Sequence, residues 1–150
     1  MRAGGGDPDA GVAAITRPVA GAISVVMRNR ALLLVQRRNP PDAGLWAYPG
    51  GKIERGETII AAALRELHEE TDVVGRALRL LAPFDIFQRD ATGGLLGHFI
   101  LLPVLCAWVS GTPAAASDAL GAEWFDIDSL PNDGQCCRSM SSSWRNRRWV

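Results

Sequence analysis

Three glutamates crowd the stretch Arg65-Glu66-Leu67-His68-Glu69-Glu70. On a helix turning about 100° per residue they occupy i, i+3 and i+4, so the three carboxylates leave from one face. Like charges so placed repel by roughly 0.2–0.5 kcal/mol per pair, and a bound divalent cation would turn that repulsion into affinity. Mg²⁺ is the natural candidate. A hard cation takes oxygen ligands, and it keeps several waters when only a few carboxylates and phosphate oxygens hold it. Upstream lie Gly50, Gly51, Gly56 and Glu57. These glycines are expected to adopt backbone angles closed to other residues, letting a loop fold tightly beside a phosphate. An acid-rich helix face alone is usually solvated surface. Spacing argues otherwise: Gly51, Glu57, Arg65, Glu66, Glu69 and Glu70 together should coincide by chance on the order of once in 10⁵ chains of this length.

The elements around this cluster read as α+β. A helix is expected from Thr58, placed as N-cap, to about Glu70, with Ile60, Ala63, Leu64 and Leu67 as its buried stripe. The glutamates then lie roughly 120° around from that stripe, facing a cleft. Ala20 to Met27 and Ala31 to Val35 form the first strand pair, joined through Arg28-Asn29-Arg30. Leu45 to Tyr48 is a short strand stopped by Pro49-Gly50-Gly51. Strand signals resume at Val73-Val74, Leu78 to Phe87 and His98 to Val109, with a turn at Ala91-Thr92-Gly93-Gly94. Trp124 to Ile127 is a last strand, and Asp128-Ser129-Leu130 starts a second helix. The sum is a mixed sheet with two helices.

A chain of 150 residues is long enough for one proper core and gives no reason for a second domain. Residues 1–15 read as a flexible lead-in, 16–131 as the domain, and 132–150 as a basic, poorly ordered tail. Sixteen basic and sixteen acidic residues create no net field for nucleic acid or an anionic membrane. Neither a signal peptide nor a membrane span is visible, so the protein is expected to be cytoplasmic. Cys106, Cys136 and Cys137 form neither a disulfide framework nor a zinc pattern and read as buried or incidental thiols.

The stretch from Gly51 to Asp72 resembles the Nudix box: Gly, five residues, Glu, seven residues, Arg-Glu-aliphatic, one residue, Glu-Glu, one residue, Gly. There is one departure, Asp72 where the family usually has Gly. Asp enters the left-handed conformation more readily than most residues, so a small stability loss is expected and the chemistry is retained. "GLWAYPGGKIERGET" is similar to the family's approach to the box, and the strands from about 18 to 131 fit its α/β/α sandwich with a catalytic loop-helix. The resemblance implies a pyrophosphohydrolase acting on a small nucleotide. It makes Glu66, Glu69 and Glu70 the metal ligands, Glu66 or Glu70 the activator of the attacking water, and Gly51, Glu57 and Arg65 the support. The implied cofactor is Mg²⁺, with Mn²⁺ as a substitute, and a homodimer is an open possibility.

Substrate contacts are less determined. Arg37 and Arg38 follow a strand and precede the box; they are either a phosphate clamp or plain strand-end arginines. Trp46 either stacks on a base or belongs to the core. Glu123 and Asp118 lie where many Nudix enzymes place an additional acid. His68 reads as pointing off the cleft, and His98 as a packing or hydrogen-bonding group at the start of a strand. The region "GHFILLPVLCAWVSGTPAAASDALGAEWFDIDSL" is similar to ADP-ribose pyrophosphatase-like members, which makes ADP-ribose, cut to AMP and ribose 5-phosphate, the first substrate expectation. A nucleoside triphosphate, ordinary or oxidised, is the second. A nucleotide-sensing domain without turnover is a third, disfavoured because all three box glutamates remain.

Overall fold

The computed structural model describes residues 16–40, 42–116, 119–137 and 140. Asp118 and most of the 132–150 segment lie outside them.

The apolar run after Pro18 forms β1 (Val19–Arg28) and turns at Asn29, whose φ of 55° is left-handed, into β2 (Ala31–Arg37). β3 (Trp46–Ala47) and β4 (Gly50–Lys52) follow, then α1 (Ile59–Thr71), β5 (Val74–Leu80), β6 (Phe84–Arg89), β7 (Leu95–Ser110) and β8 (Ala119–Asp126). The eight strands of the described residues make one mixed sheet. Its spine runs β3-β2-β1-β7-β5, with β4 paired to β1, β6 to β7 and β8 to β2. β1 and β7 run parallel from Val19↔Phe99 to Met27↔Ala107, and the other pairings are antiparallel.

Alternation along β1 sorts its side chains to two faces. Ala22 and Val26 pack with Leu33, Ala62, Ala63, Leu67, Val104 and Cys106 under the helix. Ile23 and Val25 pack with Leu32, Leu34, Tyr48, Leu105, Cys136 and Met140 on the opposite face. Buried Ser24 sits on the helix side, where its hydroxyl donates to the Ala63 carbonyl at 2.9 Å and satisfies both groups. Burial raises the Cys106 thiol to about 11, keeping it protonated and inert.

Several expectations change. Gly50-Gly51 does not stop a strand; it is one, paired with Ala22 and Ile23 of β1. Leu78 to Phe87 is two strands, separated by Leu81-Ala82-Pro83, so that β5 and β6 lie on successive halves of β7. Asp128-Ser129 forms a turn, and the described residues contain one α-helix, followed late by a 3₁₀ turn at Asp133–Gln135. Past residue 131, Cys136 forms a bridge to Trp46, the Cys137 N–H donates to the Trp46 carbonyl at 3.0 Å, and Cys136, Cys137 and Met140 are buried.

Candidate active site

Helix α1 carries the acids, and its ends are fixed locally. The Thr58 hydroxyl accepts from the Ala61 N–H at 3.1 Å, satisfying one of the donors orphaned at a helix start. At the other end Asp72 adopts φ 62° and ψ 13°, and its N–H donates to the His68 carbonyl at 2.9 Å. The left-handed cap is formed by Asp in place of Gly, as expected from the sequence.

The buried face of α1 is Ala62, Ala63, Leu67 and Thr71, with Ile59 partly buried, while Ile60 is 42% exposed. The helix is therefore rotated from the apolar stripe of its sequence. Glu66 and Glu70 lie beside the buried face and point at β4. The physical reason is in β4 itself: a Cβ on Gly51 would stand 2.5 Å from the Glu66 carboxyl carbon, nearer still to Oε1. The Gly50 N–H donates to Glu70 Oε2 at 3.4 Å, a long bond. Neither Gly50 nor Gly51 has positive φ; among the box glycines only Gly56 does, at 83°. The paired glycines thus supply room for two carboxylates against a strand, and Gly56 alone supplies the turn.

Arg65 fastens the loop to the helix. Its Nε and Nη2 donate to the two Glu57 oxygens at 2.6 and 2.8 Å, and Nη2 also reaches the Lys52 carbonyl at 3.3 Å. The bidentate pair is the strong form of this contact. The Arg65 hydrogen bonds, helped by the Glu54 N–H, hold the Glu57 carboxyl down at about 2, and Glu57 in turn raises Arg65 above its ordinary value. Arg65 Nη1 donates to Glu66 Oε1 at 3.0 Å and to Glu69 Oε2 at 3.2 Å. Glu69, its side chain 51% exposed, thus shares one arginine nitrogen with Glu66. Among the described residues no three Asp, Glu, His or Cys side chains converge closely enough to chelate an ion.

Glu66 and Glu70 open into a cleft of about 740 Å³ whose rim carries Arg37, Arg38, Lys52 and Arg89. Asp42 also lines the cleft, so three acids face four cations, a balance suited to an anion held beside a cation. Arg37 has no side-chain partner among the described residues, and Arg38 Nη2 donates weakly to the Ala119 carbonyl at 3.4 Å. Trp46 is not in the cleft; it packs edge-on against Phe125, with ring centroids 4.8 Å apart. Glu123 is exposed on β8 opposite Leu34 and does not line the cleft. His98 pairs with Asp85 at 2.7 Å, away from the acids. Sequence reasoning missed Lys52, Gln88, Arg89 and Phe99, all of which line the cleft. The period-2 alternation of β6 held the only signal for its contribution. A second depression, of about 480 Å³ at the β1–β2 turn, has a single carboxylate, Asp126, and lies at the other end of the sheet.

Residues 16–139 match the model of the NUDIX domain. A protein of Methanocaldococcus jannaschii named ADP-ribose pyrophosphatase is 33% identical over 114 residues, covering 76% of this chain and 65% of its own. The chain thus spans just under two thirds of that relative's length. A Mycobacterium tuberculosis protein named putative 8-oxo-dGTP diphosphatase 2 is 37% identical over 121 residues, covering 77% of this chain and 80% of its own. The crystal structure of a MutT NUDIX hydrolase from Burkholderia pseudomallei superposes with a TM-score of 0.71 at 29% identity, over 82% of this chain and 92% of that one. No helix among the described residues is long and apolar enough to cross a membrane.

Proposed function

The chain belongs to the Nudix family, and from that premise we propose that it hydrolyses the pyrophosphate bond of a nucleoside diphosphate derivative with a divalent metal, Mg²⁺ foremost. The observation that carries this reading is the pair Glu66 and Glu70, seated against the bare strand Gly50-Gly51 at the wall of a cation-rimmed cleft. The residues present fit a hard cation. Their donors are carboxylate oxygens, and the space that a Cβ at Gly51 would fill is kept open beside them. Glu66 and Glu70 would hold the ion, and Glu69 would join by leaving Arg65, to which it is bound through one exposed contact. Two or three protein carboxylates suffice, because Mg²⁺ retains waters and takes substrate phosphate oxygens. When bound, the ion supplies charge neutralisation at the phosphoryl oxygens and a lowered pKa for water.

The chain's own groups do the rest. Lys52 and Arg37 are placed to bind phosphate oxygens, which orients the anhydride along the cleft. An oxygen of Glu66 or Glu70 takes the proton of the attacking water, since both carboxylates sit in the cleft. Arg65 and Glu57 touch no substrate; their bidentate hydrogen-bonded pair keeps the 52–57 loop at a fixed distance from α1.

ADP-ribose, converted to AMP and ribose 5-phosphate, is the first substrate, supported by the name of the archaeal relative. The name of the mycobacterial relative supports a second reading, an oxidised nucleoside triphosphate. Turnover of ADP-ribose, dGTP and 8-oxo-dGTP with Mg²⁺ in ¹⁸O-labelled water separates these readings and locates the phosphorus attacked. A kcat/KM at least tenfold higher for ADP-ribose supports the first. Equal values remove it and leave the bond assignment standing.

A further inference from the structure

The registers across the sheet lay out a track leading away from the acids. Lys52 of β4 lies opposite Gly21 of β1, Gly21 is the register partner of Leu101 on β7, and two residues along β7 Phe99 lies opposite Ile86 of β6. Register partners share a face, as do residues two apart on a strand, and all five line the cleft. At Gly21 the track has no side chain of its own and the Leu101 side chain closes over it. A Cβ there would stand 3.0 Å from Leu101 Cδ2 and 3.3 Å from the Gly51 carbonyl oxygen. Between the acids and a half-buried Phe99–Ile86 platform the groove is therefore floored by the Leu101 side chain lying over the Gly21 backbone. Two strand spacings separate β4 from β7, ~10 Å at the usual interstrand distance, a gap that a ribose joins when a phosphate sits at one end and a base at the other.

Gln88 follows Ile86 on the same face and is also half-buried in the cleft wall. Its cross-strand neighbour is Gly97, which has no side chain to cover it. No partner holds the Gln88 amide among the described residues. A primary amide offers both a donor and an acceptor, as a base edge requires.

We propose that the β6–β7 end of the cleft is the nucleobase subsite, with Phe99 and Ile86 as the stacking platform and Gln88 as the edge-reading group. The opposite end, at Arg37 and Arg38, then takes the moiety on the far side of the pyrophosphate. This assignment rests on the hydrolase reading for the position of the phosphates. It makes base recognition a property of β6 and β7, which lie outside the glutamate motif altogether.

Isothermal titration calorimetry with the full chain and Mg²⁺ tests it, using AMP, GMP and ribose 5-phosphate as probes. Wild type is expected to bind the better nucleotide at least tenfold more tightly than ribose 5-phosphate. Phe99→Ala should lose about tenfold or more for the nucleotide, the usual loss of one base–aromatic stack, with ribose 5-phosphate unaffected. Gln88→Ala should compress the AMP-to-GMP ratio. Phe99→Leu retains an apolar side chain of similar bulk, and an equally large loss in that variant with an unchanged circular dichroism spectrum assigns the effect to the lost ring. Unchanged nucleotide affinity in Phe99→Ala overturns the subsite, as does an equal loss for nucleotide and ribose 5-phosphate. Phe99-dependent nucleotide binding in a protein that turns over no diphosphate supports the subsite and defeats the hydrolase reading.

Discussion

Replacing Gly51 by Ala separates chemistry from stability at one position. The added Cβ meets the carboxyl carbon of Glu66 at 2.5 Å and Oε1 closer still, where ordinary contact begins at 3.4 Å, so the carboxylate must retreat by about 1 Å. Backbone strain is absent because Gly51 sits in a strand with ordinary φ. The obstacle is the far end of a flexible side chain, which yields by rotation, so the melting temperature should fall by no more than about 4 °C, equivalent to roughly 1 kcal/mol in a domain of this size. A displacement near 1 Å at a reacting group lowers rate by about 100-fold, or roughly 2.7 kcal/mol of barrier. Gly50→Ala is the contrast. Its Cβ meets Ile23 Cα at 2.8 Å and the Ala22 carbonyl oxygen, backbone that cannot rotate away, so the sheet must distort and stability should drop by about 3 kcal/mol or more. Steady-state kinetics with Mg²⁺ and thermal melts on both variants give the answer. Gly51→Ala activity within threefold of wild type would refute the placement of Glu66 at the reaction centre, and a Gly51→Ala melt as damaged as that of Gly50→Ala would refute the steric argument.

Glu70→Gln should reduce turnover by about 100-fold or more while the metal-free melting temperature stays level or rises, since a like-charge neighbour is removed; full activity would defeat the ligand assignment. The depressed Glu57 carboxyl makes folding weaker in acid: stability present above its ordinary value of 4.5 is lost as pH falls through that value toward about 2. Urea titrations across that range should show Glu57→Gln losing this part of the slope, and an identical slope in the variant argues against the Arg65 bond. Asp72→Gly relieves a left-handed non-glycine residue and should raise the melting temperature by about 2–4 °C, or roughly 1 kcal/mol; a lowered value would mean that the Asp72 side chain contributes more than its backbone loses. Met140, fully buried against the face of β1 and β2 that is remote from α1, should cost about 2–5 kcal/mol when changed to Ala, whereas a neutral result in chemical denaturation would detach the terminal segment from the core.

The parts of the fold whose physics is local can be read from residue order. Thr58 as N-cap, Asp72 as the left-handed cap, the Arg28-Asn29-Arg30 turn and the shared helix face of the three glutamates depend on neighbours within about one helical turn or one hairpin, and each was legible from spacing and residue type. What lies between distant segments was not. The rotation of α1 that exposes Ile60 and turns Glu66 toward Gly51 comes from two glycines on a strand that looked like a stop signal, because the need for space at Gly51 exists only once the helix is packed there. Trp46 faces Phe125 because β2 carries both β3 and β8 along its length, and Phe99 reaches the cleft because β7 is long enough to pair with β1, β5 and β6 in turn. Register between strands 80 residues apart, as in Val19↔Phe99, is set by the packing of both sheet faces and leaves no periodic trace in either segment, so the side chains beyond the glutamate motif that line the cleft emerge with the assembled sheet.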